Sequence, residues 1–105
     1  MKNFVYVVHD YYWYDQFGDS DYERDNIDSI WDREEDAKRR IDDLANEYIR
    51  RRWYDDGYLD PEDFNIIQVW NEDKTDVECY MDDYESESYY IEKIEINSVK
   101  EFTGP

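Results

Sequence analysis

Apolar positions along this chain change their period several times, and each change marks an element. Residues 3–9, NFVYVVH, are apolar on both alternating faces, which predicts a strand buried on both sides. Residues 26–31, NIDSIW, form a shorter strand-like run. The period then lengthens. Ala37, Ile41, Leu44, Ala45, Tyr48, Ile49 and Trp53 fall at offsets 0, 4, 7, 8, 11, 12 and 16, one face of a helix over about residues 33–52. Asp32 with Glu35 reads as an N-cap and its capping-box partner, Glu34 and Asp36 add negative charge to the first turn, and Arg50, Arg51 and Arg52 suit the negative end of the helix dipole. In the exit YDDGYLDPED, Gly57 and Pro61 break the helix and Asp60 caps a short turn that starts at Pro61.

Three further strands follow. Residues 64–70, FNIIQVW, lead through the polar turn NEDKTD into 77–81, where Val77, Cys79 and Met81 point one way and Glu78 and Tyr80 the other. DDYESES leads into 89–96, with Tyr90, Ile94 and Ile96 on one face, interrupted by Glu92. Consecutive strands joined by short polar turns pair antiparallel. The expected fold is α+β: a four- to five-stranded, mostly antiparallel sheet with one long helix packed on one face. With 105 residues the chain builds one domain, residues 1–105, and one core.

Between the first strand and the helix, residues 9–28 read HDYYWYDQFGDSDYERDNID, and positions 10–25 follow neither period. They are expected to form a surface loop that is both acidic and aromatic. Composition makes this stretch more than a curiosity. Thirty Asp and Glu against twelve Lys and Arg give a net charge of -18, well beyond the roughly 2 to 8 that keeps a small domain soluble. Leu, Ile, Val and Phe number only 21, close to a disordered composition, but twelve Tyr and four Trp supply the missing core material. Cys79 is the single cysteine, so the fold holds no disulfide within the chain, and a reducing, cytoplasmic home is expected. The apolar run at the N-terminus is too short for a signal peptide or a membrane span.

Little in the sequence points to catalysis or to a cofactor. His9 and Cys79 belong to no nucleophile motif; Cys79, alternating with Val77 and Met81, reads as a core thiol, and His9 as a hydrogen-bonded structural residue. Three Gly leave no phosphate-cradling loop. Asp19, Asp21 and Glu23 imitate the first three ligand positions of a calcium loop, but the sixth position is Arg24 in place of Gly and the twelfth is Ile30 in place of Glu, so no metal site is expected. No carboxylate pair stands out as a glycosidase acid and base.

Charge distribution carries the remaining signal. Seven of the twelve basic residues lie between Arg33 and Arg52, so the helix is nearly balanced and the excess negative charge lies elsewhere. Positions 10–28 hold seven acids and one base, and 72–95 hold ten acids and two bases. Carboxylates two residues apart on a strand stand roughly 6.6 Å apart, about two steps of the phosphate spacing along one DNA strand. Asp19, Asp21, Glu23 and Asp25 are therefore read as a row imitating phosphates, with Asp10 and Asp15 in the same partner-binding surface. Glu78, Asp82, Asp83, Glu85 and Glu87 extend it from the later hairpin, and Tyr12, Trp13, Tyr14 and Tyr22, with Tyr11 among them, supply rings that stack on Arg. The plainer reading is a solvated acidic loop whose rings fold back on the sheet as a second core.

The order VYVVHDYY, IDSIWDREEDAKRRI and FNIIQVW resembles small prokaryotic and phage proteins of unknown function, in which a first strand ends near His-x-Tyr and a later strand leads into Glu-x-x-Ala on a helix. That resemblance covers about two thirds of the chain and implies a fold, with no activity attached. In size, acidity and lack of catalytic residues the chain also resembles phage-encoded inhibitors that imitate DNA, including anti-CRISPR proteins and blockers of restriction enzymes. This second resemblance implies a non-catalytic inhibitor, acting in the host cytoplasm, whose partner is a basic nucleic-acid-binding protein such as a host defence effector. Nucleic acid itself is not expected to bind, since -18 repels phosphate, nor is a membrane; a homodimer is compatible with the sequence. The alternative expectation is a small intracellular interaction or oligomerisation module without mimicry.

Overall fold

The computed structural model describes residues 3–16, 20–55, 66–81 and 85–96. Six elements follow one another: β1 (Asn3–Tyr14), β2 (Tyr22–Trp31), α1 (Glu34–Asp55), β3 (Ile67–Trp70), β4 (Asp76–Tyr80) and β5 (Glu85–Ile96). The strands form one five-stranded sheet in the order β2-β1-β5-β4-β3, every neighbouring pair antiparallel. One helix packs on one face, so the architecture is the α+β fold the periods imply. Gly57, Asp60, Pro61 and residues 64–65 lie outside the described residues.

The main departure is the acidic aromatic stretch. It is largely strand: β1 runs on to Tyr14 and β2 begins at Tyr22, paired as Tyr12↔Arg24, Trp13↔Glu23 and Tyr14↔Tyr22. Tyr and Trp favour extended backbone, but rings stand on both faces here, so no polar-apolar alternation betrays the strand. Its register slips once, between Val8 and His9, where Val8 faces Ser29 and His9 faces Ile27, leaving Asp28 as the extra residue of a bulge. The helix also starts slightly later than its cap signal. Its first residue is Glu34, and the carbonyl of Arg33 accepts from the Ala37 amide at 3.2 Å, which moves the cap position from Asp32 to Arg33.

The core lies between the helix and one side of the sheet. Ala37, Ile41, Leu44, Ala45 and Tyr48 from α1 meet Val8, Val77, Cys79 and Tyr89, with Tyr6, Trp31, Ile66, Trp70 and Ile91 packed around them. The helical offsets and the Val77/Cys79 alternation thus point where expected; Cys79 is fully buried, and burial pushes its thiol up to about 12. On β5 the covered positions are Glu87, Tyr89 and Ile91, so Tyr90, Glu92, Ile94 and Ile96 face the opposite side. At the β3–β4 turn the Asn71 side chain accepts from the Thr75 and Asp76 amides at 2.8 and 3.1 Å, and Lys74 takes the left-handed conformation at φ 63°. Among the described residues no helix is long and apolar enough to cross a membrane.

Candidate interaction surface

Because side chains alternate along a strand, the pairing register divides every acid of the sheet between two faces. The covered side takes Asp10, Asp28, Glu85 and Glu87, and by parity Glu95 at the far end of β5. The open face, away from the helix, takes Glu23 and Asp25 on β2, Glu92 on β5, and Asp76 and Glu78 on β4. The two sets live under different chemistry.

Acids on the covered face are engaged within the fold. Arg40 holds Asp28 through two bonds, Nε to Oδ2 at 2.8 Å and Nη2 to Oδ1 at 3.0 Å, and this contact holds the Asp28 carboxyl below the usual range. Glu87, only 6% exposed, accepts from Arg51 Nη2 at 3.1 Å, and the same Nη2 donates to the Tyr89 hydroxyl at 3.3 Å. Asp10 lies beside Glu87 in a cleft of about 510 Å³ under the helix that Arg50, Arg51 and Tyr89 help to line. Burial, then a hydrogen bond and repulsion from Glu87, push the Asp10 carboxyl up to about 7, while its Oδ1 is buried with no partner among the described residues. Asp10 and Glu87 both line this cleft under the helix, and neither belongs to an outward row of charges. The in-phase spacing of Val8, Asp10 and Tyr12 is the signal that puts Asp10 on the covered side.

On the open face the acids lie among rings. His9 stacks on Tyr90 with centroids 4.5 Å apart and planes 4° from parallel. Its Nδ1 is 3.2 Å from Asp25 Oδ1 and its Nε2 is 2.9 Å from Glu92 Oε1; only the imidazolium donates to both at once. Tyr90 donates to Asp25 Oδ2 at 2.7 Å, and that bond, with burial and the carboxylate's charge, pushes its phenol up to about 12. Tyr11 bonds Glu23, which likewise raises the Tyr11 pKa, and Trp13 donates to Asp21 at 3.1 Å. Sequence reasoning took His9 as structural and placed neither Glu92 nor Asp76 in the surface; the register brings all three onto it.

The open positions of the described strands hold no Lys or Arg. The nearest hairpin cation, Arg24, turns to the covered side, with its guanidinium 5.9 Å from the centre of the Tyr12 ring. Tyr12 also lies there, donating to Glu85 at 2.7 Å and meeting the ring of Tyr22 edge-on at 6.2 Å, while Tyr14 and Tyr22 remain 37% and 44% exposed. Of the residues read as one surface, Asp21, Glu23, Asp25, Glu78 and Trp13 therefore share the open side. Asp10, Tyr12, Tyr14, Tyr22, Glu85 and Glu87 belong to the other. Asp15 lies in the connection after β1, and Asp19, Asp82 and Asp83 fall outside the described residues.

No family model matches the chain, and no curated protein or solved structure is significantly similar to it. Function therefore rests on the surface alone.

Proposed function

We propose that this domain is a non-catalytic inhibitor, of phage or mobile-element origin, whose open sheet face takes the place of nucleic acid in the basic channel of a host defence effector. The supporting observation is the sorting of charge: carboxylates from three strands stand on a face whose described positions hold no Lys or Arg, while on the covered face Asp28 and Glu87 pair with Arg40 and Arg51. A groove that neutralises phosphates with Lys and Arg meets the same sign of charge here, at about 6.6 Å along a strand. Tyr11 and Trp13 stand among these acids, where Arg side chains stack on rings. An oligomerisation module without mimicry is the weaker reading, because pairing this face with itself brings like charges together with no Lys or Arg at its described positions to offset them.

Competition for a DNA-binding effector tests the proposal. The domain is expected to displace DNA, and to do so less well as salt rises. Glu23→Lys with Glu78→Lys should abolish displacement. Asp42→Lys with Asp43→Lys, on the exposed side of the helix, changes the net charge equally and should retain most of it. Equal loss from the two pairs sinks the assignment to this face, leaving net charge as the only cause.

A further inference from the structure

One end of the open face is mainly aliphatic, with Glu92 as its acid. Ile27 and Ile30 on β2 are 61% and 62% exposed, and Ile94 and Ile96 on β5 are 38% and 48% exposed. Val5 and Val7 lie between them on β1, with Val5 opposite Ile94 and Val7, itself buried, flanked by Ile30 and Glu92. Exposed isoleucines grouped in this way on one face mark an interaction site more often than singly scattered ones do. Nothing in nucleic-acid mimicry accounts for it, because phosphate-binding grooves are polar.

We infer that this aliphatic end is a second subsite of the docking face and that the occupant of the whole face is an amphipathic basic segment of the partner. Its Lys and Arg would reach Glu92, Asp25 and Glu23, and its aliphatic side chains would cover Ile27, Ile30, Ile94 and Ile96. The inference rests on the proposed function only for the sign of the partner's charge. Charge complementarity selects this occupant over a second copy of the chain: Glu92 stands within the aliphatic patch, and Asp25 lies two positions from Ile27, so self-docking would set Glu92 against its own counterpart with no Lys or Arg at the described positions of either face. Glu23 to Ile30 spans roughly 20 Å of strand, about the length of a helix of four turns.

Two synthetic peptides of equal length and equal positive charge separate the possibilities, one with Lys and Leu on opposite helix faces and one with Ser in place of Leu. Affinity is measured by fluorescence anisotropy at physiological salt. The Lys/Leu peptide is expected to bind at least roughly tenfold tighter, with the advantage lost in the Ile27→Ser, Ile30→Ser variant. Val69→Ser, at a 53% exposed open-face position on the far edge strand β3, should keep it. Glu23→Lys with Glu78→Lys should weaken both peptides alike. Equal affinity for the two peptides, or an advantage that survives the isoleucine changes or vanishes with Val69→Ser, overturns the subsite while leaving the acidic face intact. Failure of both peptides to bind removes the charge reading beneath it. A dimer in light scattering that Ile27→Ser, Ile30→Ser dissociates would make a second copy the occupant and overturn the inference.

Discussion

The two faces of the sheet use carboxylates under opposite rules. Beneath the helix, Asp28 and Glu87 are held by Arg40 and Arg51, and burial beside Glu87 raises the Asp10 pKa. On the open side, Asp25 and Glu92 bracket a histidine, Asp25 also accepts from the Tyr90 phenol, and Glu78 points to solvent. The same residue types thus satisfy the fold on one side and form an outward surface on the other. What separates them is strand parity, so neighbours such as Asp10 and Tyr11 have different roles.

The comparison breaks most sharply in the aliphatic residues. Ile41→Ala, at a fully buried position, should cost about 3 kcal/mol in urea unfolding, whereas Ile30→Ala, 62% exposed, should stay within about 0.5 kcal/mol. A comparable cost at Ile30 would mean that the open face is a second core.

Next in size is the ion pair under the helix. The Glu87 side chain is only 8% exposed, and Arg51→Ala strips it of its cation. The cost should be about 2 kcal/mol at pH 8. Because the Arg51 charge lowers the Asp10 pKa, the same variant should move the titration of Asp10 upward, which carboxyl NMR would follow.

The smallest effect concerns Asp10 itself. Its folded pKa of about 7 stands above the 3.8 of a free Asp, so the folded state binds the proton more tightly than the unfolded chain. Stability should fall as pH rises from about 4 to about 7 and then level off. The full shift corresponds to about 4 kcal/mol; with a carboxyl half open to solvent, about 1–2 kcal/mol is expected. Asp10→Asn should remove this slope and make the protein more stable at pH 8 by that amount, with little change at pH 4.

Most of the fold was legible because burial imposes a period. The helix declared itself through Ala37, Ile41, Leu44, Ala45 and Tyr48, and β4 through Val77 and Cys79. The distal half of the hairpin was hidden because Tyr11 and Trp13 face one way and Tyr12 and Tyr14 the other, so both faces carry rings. The surface was only half legible for a related reason. Acids that look alike in sequence were read as one surface, while Asp10 and Glu87 turn inward with the parity of Val8 and Tyr89. Glu92 and Asp76 joined the surface only once the cross-strand register placed them beside His9 and Tyr90.

The strand order also bears on how the chain reaches its fold. β5, the last described strand to be synthesised, lies in the middle of the sheet and pairs with β1 from Asn3↔Ile96 to Tyr14↔Glu85. Until residues 85–96 leave the ribosome, the β1–β2 hairpin and the β3–β4 hairpin have no strand between them. Closure across so long a separation is slow, and unfinished sheets with open edges associate readily. The excess of acids over bases, already present before β5 is made, keeps such chains apart during that interval, so the carboxylates of the open face also protect the unfinished molecule.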